Sequence, residues 1–203
     1  MWACTNVSGL ILAGGQGRRM QQTGYPVKEK GLLMLAGQPL VAWVDKAFPA
    51  TIRARYISAN RCETGYQPYG QVIQDAPDLP SAAGPLVGLA SSARVITTPW
   101  VFVLPVDMPF VPPTLLSTLQ QAVTSTKAAC VYAQTERPHP LCMLVHRELL
   151  LALPEYLHKG MRRVMEWQQQ VGHPVSWDAQ DHEFLNINTP ALLQRASRAI
   201  KRG

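Results

Sequence analysis

The stretch Gly9-Leu-Ile-Leu-Ala-Gly-Gly-Gln-Gly-Arg-Arg-Met20 decides how the rest of the chain is read. Gly9 to Ala13 is an uncharged apolar run closed by glycines, the pattern of a strand buried on both faces of a sheet. The loop that follows joins Gly14, Gly15 and Gly17 to Arg18 and Arg19. Glycine-rich backbone leaves N–H groups open to an anion, and the guanidinium groups beside it supply charge, so a nucleotide phosphate suits this composition. A bare glycine loop is equally a tight turn; the arginines favour the ligand. Two known phosphate motifs are excluded. Met20 stands where the dinucleotide fingerprint needs its third glycine, and no Gly-Lys-Ser/Thr follows as in a Walker A loop.

Working outward, apolar branched runs alternate with helical spacing along the chain. Strands are expected over Arg55 to Asn60, Gln71 to Asp75, Trp100 to Asp107, Ala128 to Gln134 and Leu141 to Val145. Helices are expected from Pro39 to Phe48, Gly84 to Thr98, after Pro112-Pro113, over Arg162 to Val171 and after Pro190. Gly31 to Leu40 reads as an apolar hairpin, and Phe184 to Asn188 as a last strand with Asn186 and Asn188 on one face. This alternation predicts an α/β fold, a single domain over 1–203 with a Rossmann-like, mostly parallel sheet and helices on both faces. Ligands of such sheets bind beyond the carboxyl ends of the strands. The residues to question are therefore those after Leu12, Ala59, Gln74 and Val106.

Composition narrows the function. Apolar residues make up 47% and charged residues 16% of 203, the profile of a folded globular chain. The net charge of +6 favours an anionic partner. Arg195, Arg198, Lys201 and Arg202 lie among Leu192, Leu193, Ala196 and Ile200 at helical spacing with no aromatic residues between them, so they read as a solvated helix face and no nucleic-acid partner is expected. Cys4, Cys62, Cys130 and Cys142 are scattered singly and read as reduced, buried thiols. Val7 to Ala13 has no basic leader, and no apolar run approaches the ~18 residues of a membrane helix. A cytoplasmic protein without a membrane partner is expected.

Four groups of residues carry candidate chemistry. Asp107 ends a run without charge and precedes Pro109, so it either caps a turn or holds a divalent cation; Asp75, also at a strand end, has the same two readings. Together with a phosphate loop they favour metal and nucleotide. Lys30 brings a point charge back towards the loop. His139, between prolines, is an acid or base candidate, though a lone histidine leading into a strand is more often structural. Asn186 and Asn188 would offer a polar face to a substrate, or cap the turn before Thr189-Pro190.

In chain order, Leu12-Ala-Gly-Gly-Gln-Gly-Arg-Arg-Met20, Lys30-Gly-Leu-Leu33, Gly37-Gln-Pro-Leu40, Asn60-Arg61, Gly84-Pro-Leu86, Pro105-Val-Asp-Met-Pro109, Arg137-Pro-His-Pro140, Gly160-Met-Arg-Arg163 and Asn186-Ile-Asn-Thr-Pro190 form a series. It resembles the molybdenum cofactor guanylyltransferase family, within the wider group of sugar-nucleotide-type nucleotidyltransferases, from about Gly9 to Leu193. The resemblance implies transfer of GMP from GTP to the terminal phosphate of molybdopterin, with Mg²⁺ as cofactor and pyrophosphate as leaving group. It also implies transient contacts with proteins that deliver molybdopterin and mature molybdoenzymes. Leu12, Ala13, Gly14, Gly15 and Gly17 would line the nucleotide site with Gly84, while Asn60 and Asp75 contact the nucleotide. Lys30, Arg18 and Arg19 would meet the phosphates, and Asp107 would hold Mg²⁺. Arg162, Arg163, Asn186 and Asn188 would lie towards molybdopterin. Where the family usually has aspartate this chain has Glu29, and Thr23 to Lys28 lengthens the approach to Lys30, leaving Lys28 as the alternative to Lys30 at the phosphates. A relative using CTP or a sugar phosphate, and a GTP-binding regulator without turnover, are the competing readings.

Overall fold

A computed structural model describes residues 6–14, 29–80, 84–178 and 183–200. In chain order they form β1 (Val7–Leu12), a 3₁₀ turn (Lys30–Leu32), the paired short strands β2 (Met34–Leu35) and β3 (Gln38–Pro39), α1 (Leu40–Asp45) and β4 (Arg55–Ser58). Next come α2 (Glu63–Tyr66), β5 (Gln71–Ile73), α3 (Pro85–Val95), β6 (Trp100–Pro105) and α4 (Leu115–Thr126). The chain continues through β7 (Cys130–Gln134), β8 (Pro138–His146), α5 (Arg147–Leu151), α6 (Leu153–His158), α7 (Val164–Val171), β9 (His173–Ser176) and α8 (Pro190–Ile200).

One sheet carries the architecture, in the order β5-β4-β1-β6-β8-β7-β9. β1 pairs in parallel with both β4 and β6, and every residue of β1 is buried. Alternate side chains of these strands serve opposite faces. Val7 and Ile11 of β1 join Phe102 and Leu104 of β6 under α1 and α4, in a cluster with Val41, Val44, Leu115 and Leu119. Leu10, Val101 and Val103 take the other face with Leu86, Leu89 and Ala93 of α3 and with Leu150, Leu153 and Leu157. Covering both faces is why the strands read as continuous apolar runs. Gly9 is glycine because the Phe48 ring lies over it: a Cβ there would sit 2.7 Å from ring carbons. A third small core of Leu35, Leu40, Ile187, Leu193 and Ala196 ties the β2–β3 hairpin to α8.

The expected mostly parallel sheet and its covering helices are present, and the hairpin turns through Ala36 and Gly37, both at positive φ as a primed turn requires. Several details differ. β8 runs antiparallel to β6 and β7 and begins at Pro138, not Leu141; its pairing with β7 slips between Tyr132 and Ala133, where prolines are tolerated. Phe184 to Asn188 is not a strand: it runs without a ladder and is tied to the core by the Ile187 N–H donating to the Asp107 carbonyl at 2.8 Å. The edge strand β9 escaped notice because its side chains are mostly exposed and show no apolar alternation. Cys130 and Cys142 are buried as expected, but Cys62 is exposed, at a positive φ before α2.

Candidate active site

Strand order reverses between β1 and β6, and the crevice beyond their carboxyl ends is where an open sheet binds ligands. The backbone there is locked. The Val106 N–H donates to the Leu12 carbonyl at 3.0 Å and the Ala13 N–H to the Ser58 carbonyl at 2.9 Å. Ala13-Gly14 and Val106-Asp107 therefore leave the sheet side by side, into a cleft of ≈ 1240 Å³. Leu12, Ala13, Gly14, Asp75 and Gly84 line one side of it; Arg137, His139, Trp177 and Phe184 line the other, with Lys30, Asp107, Asn186 and Asn188 also in the wall.

At the centre is a three-residue node. Lys30 Nζ donates to Asp107 Oδ2 at 2.6 Å and to Asn188 Oδ1. Each partner reaches the node for a local reason. Lys30 sits in the 3₁₀ turn, Asp107 follows the buried end of β6, and Asn188 is placed by Ile187, which is fully buried beside it. An ammonium has three protons, so one remains for a ligand after these two bonds. The Asp107 carboxylate is turned towards the Lys30 amine.

The ends of β4 and β5 carry a pair of their own. Asn60 Nδ2 donates to Asp75 Oδ2 at 2.7 Å, and the Asp75 N–H to Asn60 Oδ1 at 2.8 Å. Asn60 is exposed and stands behind Asp75, not in the cleft wall itself. Gly84 precedes α3 at φ +69, with Pro85 in the first turn, so the positive end of an eleven-residue helix lies on the cleft.

On the opposite side His139 is 6% exposed, its ring stacked on Phe184 at a centroid distance of 4.6 Å and its Nε2 2.9 Å from Thr135 Oγ1. Burial, with help from the Arg137 charge, holds its pKa below the usual value and keeps the ring neutral. Trp177 meets Phe184 edge to face. Asn186 lines the cleft, and its Oδ1 is buried with no hydrogen-bond partner among the described residues.

The structure thus brings Leu12, Ala13, Gly14, Lys30, Asp75, Gly84, Asp107, Asn186 and Asn188 together. Gly15, Gly17, Arg18, Arg19 and Lys28 lie outside the described residues. Arg162 and Arg163 do not line the cleft; both are exposed, and Arg163 pairs with Glu166 at 2.9 Å. Arg137 and Trp177 do line it and were not singled out individually. Only the Arg-Pro-His-Pro motif pointed towards the first, and nothing in the spacing of the tryptophans pointed to the second.

No group of three or more His, Cys, Asp or Glu side chains able to hold a metal is present among the described residues. Magnesium commonly uses one or two carboxylates and takes its other ligands from phosphates and water. The node offers oxygen donors only, from Asp107 and the asparagine amides, and this hard donor set fits that ion.

Residues 9–173 match the family model described as the MobA-like NTP transferase domain. The chain belongs to this family. It is therefore a nucleotidyltransferase. A molybdenum cofactor guanylyltransferase of Histophilus somni is 35% identical over 188 residues, covering 91% of this chain and 93% of the relative. One from Serratia proteamaculans is 35% identical over 186 residues, covering 90% of each. Among solved structures, molybdopterin-guanine dinucleotide biosynthesis protein A of Archaeoglobus fulgidus superposes with a TM-score of 0.73 at 22% identity, over 97% of this chain and all of that one. A CMP:2-keto-3-deoxy-manno-octonic acid synthetase complexed with CTP superposes at 0.70 with 12% identity, over 97% of this chain and 99% of its own. These two likenesses establish the fold. No helix of the described residues is long and apolar enough to cross a membrane.

Proposed function

We propose that this MobA-like nucleotidyltransferase transfers GMP from GTP to the terminal phosphate of molybdopterin, releasing pyrophosphate. The observation that carries the reading is the Lys30–Asp107–Asn188 node at the switch point of the sheet, between an Asn60–Asp75 pair on one side and a larger polar and aromatic wall on the other. The acceptor phosphate is already an anion, so the chemistry needs positioning and charge neutralisation and no general base. That agrees with His139, which is buried, held neutral and occupied by Thr135 and Phe184.

Each side chain then has a task. Asp75, braced from behind by Asn60, holds the nucleoside, with Leu12, Ala13 and Gly14 as its floor. Lys30 sets its charge against the triphosphate, joined by Arg18 and Arg19 from the glycine loop with Gly15 and Gly17, and the N-terminus of α3 at Gly84 adds partial positive charge. Asn186 and Asn188, both in the cleft wall, face the acceptor. Asp107 would hold Mg²⁺, which when bound supplies Lewis acidity at the reacting phosphate. The reading carries with it a cytoplasmic location and transient contacts with proteins that deliver molybdopterin and receive the product. Incubation with molybdopterin, GTP and Mg²⁺, followed by mass analysis of the pterin, tests it. A product heavier by one GMP unit is expected; an unchanged pterin, or a pterin carrying CMP when CTP is supplied in competition with GTP, overturns the assignment.

A further inference from the structure

Outside the cleft, a second charged cluster is used by nothing described so far. Glu29 is 6% exposed, and its burial raises the carboxyl pKa, an effect that the Arg61 charge only offsets. Its Oε1 lies 2.9 Å from Arg61 Nε, and its Oε2 accepts a long hydrogen bond of 3.4 Å from the Tyr66 hydroxyl. Tyr66 is fully buried, and its oxygen is itself hydrogen-bonded by the Gly31 backbone. Contact there is tight: a Cβ on Gly31 would stand 2.6 Å from that oxygen and 2.8 Å from Val106 Cγ2.

The cluster therefore grips both sequence neighbours of Lys30, Glu29 before it and Gly31 after it. It also joins the Asn60–Asp75 pair through the backbone, because Arg61 directly follows Asn60, the partner of Asp75. Stability alone is a poor reason to bury this carboxylate, since its partner Arg61 is 53% exposed and a half-solvated pair contributes little against the cost of taking a charge out of water. Holding a flexible lysine stem is a better one. The Lys30 side chain has four methylene groups to order, and its amine is useful only within hydrogen-bond distance of Asp107 and Asn188.

We infer that Glu29, clasped by Arg61 and Tyr66, is the positioning residue for Lys30, setting the backbone from which its amine meets Asp107, Asn188 and the phosphates. The inference rests on Lys30 being the phosphate lysine of the reaction proposed above. Glu29 touches no substrate; it acts only through Lys30.

A double-mutant cycle tests this. Wild type, Glu29→Gln, Lys30→Met and the double variant are compared for kcat and for KM of GTP, with thermal melts alongside. Glu29→Gln should lower kcat about tenfold to a hundredfold while KM changes little, as misplacement of a reacting-centre group does, and Glu29→Asp should restore part of the loss. In the Lys30→Met background the same substitution should cost nothing further. Effects that multiply in the double variant, or an unchanged kcat in Glu29→Gln, would overturn the inference. Should Glu29→Gln fail to fold, Tyr66→Phe removes only the hydroxyl and carries the same cycle. Turnover of CTP in place of GTP would defeat the guanylyl reading alone, and the cycle run with CTP would still decide the role of Glu29.

Discussion

Asp107→Asn is the most informative single change at the node. It keeps the size and shape of the side chain and leaves the backbone anchor untouched, because Ile187 bonds to the Asp107 carbonyl and not to its carboxylate. What it removes is the charge 2.6 Å from Lys30 Nζ. The two side chains are 10% and 19% exposed, so the pair lies between a solvated surface bridge and a fully buried one. Exposed pairs contribute about 1 kcal/mol or less, and breaking a buried pair costs roughly 3–5 kcal/mol. The asparagine oxygen still accepts from Lys30, which places the expected loss near the low end, about 1–2 kcal/mol. For a chain of this size that lowers Tm by roughly 2–8 °C. Turnover should suffer far more. If Asp107 acts at the reacting phosphate, kcat should fall by about a hundredfold to a thousandfold, or roughly 3–4 kcal/mol. The assay is pyrophosphate release across a Mg²⁺ titration, with a melt of each sample. A folded variant with near wild-type kcat and unchanged metal dependence would refute a catalytic role for Asp107.

Three further outcomes are expected. Gly31→Ala forces a methyl group against Tyr66 and Val106 and should cost about 1–3 kcal/mol of stability by overpacking, visible as a lower denaturant midpoint; an unchanged midpoint would show that the 3₁₀ turn yields freely. GTP should support turnover about a hundredfold or more better than CTP or ATP, since a site that hydrogen-bonds one base edge leaves polar groups unpaired when the wrong base enters; equal rates in a competition assay would remove base selectivity from this site. His139 has a folded-state pKa below its usual 6.5, so the unfolded chain binds the proton first. Stability should therefore decline as pH falls below about 6.5 and level off once the folded ring also protonates. In His139→Phe, which keeps a ring against Phe184, melts between pH 7.5 and pH 5 should show a shallower decline; identical slopes would exclude His139 as the titrating group.

Much of this protein was legible in its sequence, because burial on both faces of a parallel sheet leaves a mark in composition. Val7–Leu12 and Trp100–Pro105 carry no charge, and the residues that break each run, Gly14 and Asp107, stand where the strands end. Strand ends and the rule that ligands bind beyond them were enough to nominate Asp75 and Asp107 before any coordinates. Periodicity could not reach segments that are not amphipathic. The exposed edge strand His173–Ser176 and the short helices Arg147–Leu151 and Leu153–His158 are held by neighbours far away in the chain, and so is the extended segment before Pro190, whose Asn186 and Asn188 were mistaken for strand residues. Only the tertiary structure decided who meets whom. Lys30 and Asn188 are 158 residues apart, and Lys30 and Asp107 are 77 apart, yet they share one ammonium. The same holds for Glu29, which in the sequence is one more charged residue beside a lysine. Its partners arrive from a distant segment, Arg61 just before α2 and Tyr66 at its end, and a carboxylate's burial depends on the three-dimensional packing around it, which no local pattern of residues records.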